Sequence, residues 1–304
     1  MTRADAQARR PAPRRGASLR RLPDCIRLDE VCVLQGAPLL GACHAMQDIT
    51  APALWTLATL LAGNLCLVAH VFVFNDWAGI AGDLRDPNRR ERTFIAKGIG
   101  RAEMGGLALA LLTLALLVFG MVGATPFVIA AAIAGLSALY SAPGVQGKGT
   151  PVFSSILHLA GGTLHFLLGH SAFAPVSGPG LAMACYFGIV FAAGHLTHEA
   201  RDHDGDLLNG IRTNAVAFGR LRTVLASLGL FTLAYALLAA LALSGIVPAV
   251  LGSAVLLYPL HLRATLRALR GGLDFGALAR LQACYRRIHA VIGLAMLVTV
   301  PPWW

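Results

Sequence analysis

The chain has 304 residues, of which 56% are hydrophobic and only 13% are charged, and its formal net charge is +10. Soluble domains carry about 25% charged residues, so this composition excludes a soluble globular protein and indicates an integral membrane protein. The apolar runs are long and do not alternate with polar residues, which argues against membrane strands and leaves helices to satisfy the backbone in lipid.

The first 27 residues contain eight arginines and form the first predicted element. A secretory signal would continue directly into an apolar stretch, but here Asp24, Asp29 and Glu30 intervene. We therefore predict that residues 1–27 form a disordered cytoplasmic tail that contacts anionic lipid. No aromatic residue or folded module accompanies this charge, so nucleic-acid binding is not expected. Residues 28–304 are predicted to form a single transmembrane domain.

Nine apolar segments follow, and each is close to the length of about 20 residues that a membrane-spanning helix requires. They predict an all-α, polytopic membrane protein with about nine transmembrane helices. The segments are residues 29–46, 52–74, 103–123, 126–141, 152–173, 179–198, 222–243, 246–262 and 286–302.

The loops between these segments alternate in charge. Arginine and lysine collect after the second, fourth, sixth and eighth segments, whereas the other loops carry almost no charge. Positively charged loops remain on the cytoplasmic side of a membrane. We therefore expect the N-terminus and the basic loops to face the cytoplasm, with the protein in the plasma (inner) membrane.

Two clusters of acidic residues end apolar segments on that side. In "NDWAGIAGDLRD", Asn75, Gly79 and Asp83 recur at a spacing that puts them on one face of a helix. In "HEARDHDGD", Glu199, Asp202 and Asp206 have the spacing of three and four that gives the same result.

Hard oxygen ligands at this density suit Mg²⁺, which is commonly shared with substrate phosphates. Solvated loop charges are the alternative reading for either cluster taken alone. Two matched clusters on one side favour a site that binds Mg²⁺ and a diphosphate.

With the loop "YSAPGVQGKG" between them, these motifs resemble the UbiA-type intramembrane prenyltransferases, in the same order and along most of the chain. The resemblance implies nine transmembrane helices around a central cavity, whose cytoplasmic mouth the polar motifs close. It also implies Mg²⁺-dependent transfer of a prenyl group from a prenyl diphosphate to a lipophilic acceptor.

Residue by residue, Asn75, Asp76 and Asp83 match the first motif of the family. Gly79 stands where the family has the middle aspartate of that motif. Asp202 and Asp206 match the second motif, and Glu199 takes its leading acidic position. In the tyrosine loop, Tyr140, Ser141 and Lys148 match the family, but Gln146 replaces an arginine. Arg92 falls near the arginine of the family's "NRP" segment, and Arg212 belongs to the "GxRT" that follows the second motif.

The resemblance implies roles for these residues. Asn75, Asp83, Asp202 and Asp206 would hold Mg²⁺, and Asp86 and Glu199 are further candidate ligands. Arg92, Lys148 and Arg212 would bind the diphosphate. Asp76 and Tyr140 are also expected to be catalytic, although a tyrosine at the membrane interface explains Tyr140 equally well. The missing carboxylate at Gly79 and the missing cation at Gln146 indicate a divergent member, in secondary metabolism.

Two other functions fit the same sequence. A UbiA-type terpene cyclase would capture the allylic cation within its own substrate. A transporter or non-catalytic membrane protein is disfavoured, because transporters place polar residues near the middle of the bilayer, whereas here the charge gathers at the surface.

Overall fold

The computed structural model describes residues 21–87, 89–145 and 147–299, which form helices and the loops between them and contain no strand. Short 3₁₀ helices lie at Leu22–Cys25, Arg90–Arg92 and Gly147–Gly149, and a longer one lies at Ala249–Leu257. The α-helices are α1 (Leu28–Val33), α2 (Gly36–Ala45), α3 (Ala51–Asp83), α4 (Arg101–Val122), α5 (Ala124–Ser141), α6 (Phe153–His170), α7 (Gly178–Leu208), α8 (Asn214–Phe218), α9 (Arg220–Leu243), α10 (Tyr258–Arg270) and α11 (Phe275–Thr299).

Most residues of each of the nine predicted segments are helical, and the end of the ninth segment extends beyond the described residues. Among the described residues, six helices are long and apolar enough to cross a membrane: α3, α4, α5, α7, α9 and the helical stretch Ala249–Arg270. This is the all-α, polytopic membrane fold that the composition predicts. The predicted number of nine transmembrane helices is approximate.

The first predicted segment is broken into α1 and α2. Pro38 lacks a backbone N–H and cannot donate to the carbonyl of Leu34, so a continuous helix is disfavoured here. Gln35, at the break, donates from its side chain to the Val31 carbonyl (2.9 Å) and accepts from Asn64 on α3 (2.9 Å). The break therefore provides a partner for a polar residue that is fully buried between helices.

The chain already packs on the bundle before residue 27, where the predicted tail ends. Cys25 is buried in a cluster with Val73 and Phe94, and Arg21 donates to the Lys97 carbonyl (3.3 Å). Residues 1–20 of the predicted tail lie outside the described residues. Residues 21–27 thus belong to the packed bundle, because the side chain of Cys25 anchors them there.

The two longest helices carry the two acidic motifs. α3 has 33 residues and α7 has 31, so they are about 50 and 46 Å long at 1.5 Å per residue. The hydrocarbon core is only about 30 Å thick. Both helices therefore extend beyond it. Thr50 and Ser177 cap their N-termini with Pro52 and Pro179 in the first turn, and the acidic residues lie at their C-terminal ends.

Glycines bring α2, α6 and α7 into backbone contact. A Cβ atom at Gly169 of α6 would lie 1.8 Å from the carbonyl oxygen of Pro38, and one at Gly41 would lie 2.0 Å from that of Phe166. On the other side of α6, a Cβ at Gly162 would lie 2.7 Å from the side chain of Phe191. Small residues that allow helices to approach closely are the usual contacts between membrane helices.

We expect Gly169→Ala to lower the melting temperature of the purified protein, with a loss of about 1–3 kcal/mol in unfolding free energy, because two helix backbones must move apart. The measurement is thermal unfolding in detergent, followed by tryptophan fluorescence. Gly161→Ala on the same helix is the matched control, since a Cβ there has no heavy atom within 4 Å. Equal melting temperatures for the two variants would contradict this packing.

Candidate active site

The first acidic motif lies at the C-terminal end of α3. Asn75 accepts a hydrogen bond at its Oδ1 from Ser141 Oγ (3.1 Å), which joins this helix to the end of α5. Asp76 forms an ion pair with Arg27 of the N-terminal segment. Asp83 is the last residue of α3. The motif thus meets both the tyrosine loop and a residue from the chain's beginning.

Arg89, in the loop after α3, joins the two acidic motifs. Its guanidinium lies 3.3 Å from Asp83 and 3.6 Å from Asp86, and it forms an ion pair with Asp202 at the end of α7. Burial by itself would lower the pKa of Arg89, but the carboxylates of Asp202 and Asp83 outweigh it and raise that pKa above its usual range. A single cation therefore touches both motifs, so the two helix ends face each other across a short distance.

The second motif has cations of its own. Asp202 also accepts from Nε of Arg201 (2.8 Å), and Asp206 lies 3.3 Å from Nζ of Lys148 in the tyrosine loop. Asp204, by contrast, is exposed and pairs with Arg220 (2.6 Å). The spacing of four thus brings Asp202 and Asp206 to the space between the C-terminal ends of α3 and α7, which we call the mouth. Asp204 points away from it.

Glu199 departs from the arrangement predicted for it. Its carboxylate is buried and accepts hydrogen bonds from Ser154 Oγ (3.0 Å) and from the backbone and side-chain nitrogens of Asn214 (3.0 and 2.8 Å). Nε2 of His195 lies 2.9 Å from the same carboxylate. Both oxygens are therefore engaged, and Glu199 ties α6, α7 and α8 together below the mouth instead of lining it.

The two other predicted cations are exposed. Arg92 and Arg212 form no ion pair with any carboxylate in the described part of the chain. Gln146, which replaces an arginine of the family's tyrosine loop, lies outside the described residues. The structure thus brings Arg89 and Lys148 to the carboxylates and leaves Arg92 and Arg212 at the edge.

Three aromatic rings lie next to this site. The rings of His158 on α6 and His195 on α7 stack with their centroids 3.6 Å apart, and Tyr140 meets the His158 ring edge-on at 5.0 Å. Nδ1 of His158 lies 2.8 Å from the Ser154 carbonyl. Because a carbonyl only accepts, Nδ1 carries the proton, which leaves the lone pair on Nε2.

The model of the UbiA prenyltransferase family matches residues 37–272, which is most of the chain. The chain belongs to this family. Among curated proteins, none matches the chain.

Solved UbiA structures share the fold. A UbiA homologue from Archaeoglobus fulgidus, bound to GPP and Mg²⁺, superposes with a TM-score of 0.65 at 17% identity, over 91% of this chain and 99% of that one. Digeranylgeranylglyceryl phosphate synthase gives a TM-score of 0.71 at 17% identity, over 93% and 99%. A homologue from Aeropyrum pernix K1 gives 0.68 at 15%, over 90% and 98%. At these identities the likeness establishes the fold.

Gly79 stands in the UbiA motif of α3 where an acidic residue was expected, and the space beside it is open. A Cβ atom there would meet only Oδ2 of Asp83, at 3.9 Å. Asp86, the next carboxylate along the chain, lies instead against α7, where a Cβ at Gly205 would be 2.5 Å from its Oδ2. Asp86 therefore stays with the cluster but leaves the position beside Gly79 unfilled.

Sequence reasoning did not select Arg27 or Asn214 as parts of the UbiA site. Arg27 comes from the predicted tail, 49 residues before its partner Asp76. Asn214 follows the "GxRT" segment and caps Glu199 from α8. For Glu199 a signal was present, since it directly follows an apolar segment and a buried carboxylate must find hydrogen-bond donors. The sequence did not indicate which donors those would be.

Proposed function

We propose that this protein transfers a prenyl group from a prenyl diphosphate to a lipophilic acceptor within the membrane, with Mg²⁺ as cofactor. One observation carries the proposal: the acidic ends of α3 and α7 lie close enough for Arg89 to contact Asp83 and Asp202 together. Membership of the UbiA prenyltransferase family and its likeness to a homologue with bound GPP and Mg²⁺ support it.

The donor atoms at the mouth fit Mg²⁺, which prefers carboxylate and amide oxygens. Among the described residues, no three His, Cys, Asp or Glu side chains are already gathered around one point. A bound Mg²⁺ would therefore complete its coordination with water and substrate phosphates. We propose Asn75, Asp83, Asp202 and Asp206 as the residues that hold it, with Asp86 beside them. When bound there, Mg²⁺ neutralises the diphosphate and favours its departure.

Cations of the protein would bind the remaining diphosphate oxygens. Lys148 and Arg89 already lie among the carboxylates, and a guanidinium binds phosphate through two parallel hydrogen bonds. Arg92 and Arg212, at the edge of the mouth, would bind a diphosphate as it enters. Glu199 is left out of the proposed ligand set, because both of its oxygens are used within the protein.

The chemistry requires the allylic C–O bond to break with its electron pair leaving on the diphosphate. The face of Tyr140 is suited to stabilise the allylic cation that remains. The acceptor then forms the new bond to this carbon and loses a proton, and we propose the Nε2 lone pair of His158 as the base that takes it. Water must be excluded, because it would attack the cation first, and the apolar helices serve this purpose.

We also propose that the mouth and the N-terminus face the cytoplasm and that the protein lies in the plasma membrane. The arginines in the loop after α3, together with those along α10 and the first half of α11, support this orientation.

The test is to incubate membranes containing the protein with C10, C15 and C20 prenyl diphosphates and a lysate lipid extract, with and without Mg²⁺. We expect diphosphate release that requires Mg²⁺, together with a product whose mass is that of an acceptor plus the prenyl group. A hydrocarbon of the mass of the prenyl group alone would instead indicate a terpene cyclase. No release from any of the three substrates would contradict both enzymes.

A further inference from the structure

Exposed arginines line the hairpin formed by α10 and α11. On α10 they recur at intervals of four and three residues and therefore share one face of the helix, whereas His261, Thr265 and Ala268 on the other face are buried. On α11 two more lie seven residues apart. We call this set the arginine face: Arg263, Arg267, Arg270, Arg280 and Arg287.

The arginine face has no anionic partner within the described part of the chain. Arg27, Arg89, Arg201, Arg220 and Arg286 each form an ion pair, but none of the five hairpin arginines does.

Between Tyr258 and Thr299 the single acidic residue is Asp274, and its Oδ1 already accepts from the backbone N–H of Ala277 (2.6 Å). Like charges spaced four apart on a helix repel each other, and an anion from outside the chain would relieve that repulsion.

The hairpin lies at the same end of the bundle as the acidic mouth. Arg201, beside Asp202, donates to Gln282 of α11 (2.6 Å), and its guanidinium lies over the ring of Phe275, the first residue of α11. One helical turn further along α11, Arg286 pairs with Glu30 at 2.8 and 2.9 Å. Because the apolar parts of the helices lie in the bilayer, this end meets the membrane surface, where lipid headgroups lie.

We propose that the arginine face binds the headgroups of anionic phospholipids. A guanidinium matches phosphate through two hydrogen bonds, and a row of basic residues at a membrane surface attracts acidic lipid. The face is made entirely of arginine, without lysine. This binding is separate from the proposed prenyl transfer, because it uses none of the residues at the mouth.

The experiment measures the melting temperature of the purified, delipidated protein in neutral detergent. Phosphatidylglycerol, phosphatidylcholine and inorganic phosphate are added separately. We expect phosphatidylglycerol alone to raise the melting temperature, and we expect the triple variant R263Q/R267Q/R270Q to lose most of that rise. A second variant, R280Q/R287Q, tests the α11 row and is available if the triple variant does not fold.

The matched control is R85Q/R90Q/R222Q, which removes the same charge from exposed arginines at the same end of the bundle. It should keep the response to phosphatidylglycerol. The proposal is overturned if phosphatidylglycerol has no effect or acts no more strongly than phosphatidylcholine. An equal effect of inorganic phosphate would indicate a site for soluble anions instead, and an equal loss in the control would indicate net charge alone.

Discussion

Changing Asp202 to alanine is expected to reduce Mg²⁺-dependent diphosphate release by about 10²- to 10³-fold, the cost of removing one preorganised group that stabilises developing charge. Asp202 lies at the end of α7 and contacts both Arg89 and Arg201. Its loss would remove a proposed Mg²⁺ ligand and also free two arginines from their partner. The measurement is the initial rate of diphosphate release at saturating prenyl diphosphate over a range of Mg²⁺ concentrations.

Asp204→Ala is the matched control for this prediction. It lies two residues away on the same helix, but its carboxylate is exposed and pairs with Arg220 away from the mouth. It should keep nearly the full rate. If Asp202→Ala retained the wild-type rate while both variants melted like the wild type, the proposed metal site would be wrong. If both variants lost activity together, the effect would come from the local charge at the end of α7.

Hydropathy predicted the helical segments well, because a chain in lipid must bury its backbone polar groups in helices and this leaves long apolar runs. It did not predict the break at Leu34–Gln35, which depends on Pro38 and on the pairing of Gln35 with Asn64 from another helix. Nor did it predict that α11 begins at Phe275, eleven residues before the ninth predicted segment, since Arg280 and Arg286 interrupt the apolar pattern there.

The sequence predicted that acidic residues cluster at the site, but it predicted less well which side chains contact each other there. The helical spacing correctly placed Asp202 and Asp206 at one end of α7. The same spacing placed Glu199 beside them, yet Glu199 turns to Asn214 and Ser154. Spacing defines a face of a helix, whereas the neighbouring helix decides which part of that face is covered. That neighbour becomes known only once the helices are packed.

The arginines in the loop after α3 show the same limit of prediction from sequence. The family resemblance predicted Arg92 as a diphosphate ligand, but Arg89 is the residue that lies between Asp83 and Asp202. Three basic residues within four positions cannot be told apart by charge alone. The loop backbone decides between them: Arg90–Arg92 form a 3₁₀ turn that directs Arg92 outward, while Arg89 precedes the turn and faces the carboxylates.

Gly79→Asp is expected to lower the Mg²⁺ concentration that gives half the maximal rate of diphosphate release. The open space beside Gly79 admits a side chain, and a Cβ there would lie 3.9 Å from Oδ2 of Asp83. A carboxylate at this position would add an oxygen ligand on the same face of α3. A gain of roughly 1.4 kcal/mol in metal binding would shift the half-saturating concentration about tenfold. Without Mg²⁺ the two neighbouring carboxylates would repel each other, so the variant should also melt earlier in a chelator.

Gly79→Ala is the control for this variant, because it fills the same space and favours the helix without adding a ligand. It should leave the Mg²⁺ requirement unchanged. A Gly79→Asp variant with an unchanged Mg²⁺ requirement would mean that Asp86 or Asp76 already supplies that ligand when the metal is bound. A Gly79→Asp variant with normal melting but no activity would mean that the substrate occupies the space. In the second case the glycine itself would be a functional part of the site, whereas in the first its missing ligand would be replaced by a neighbouring carboxylate.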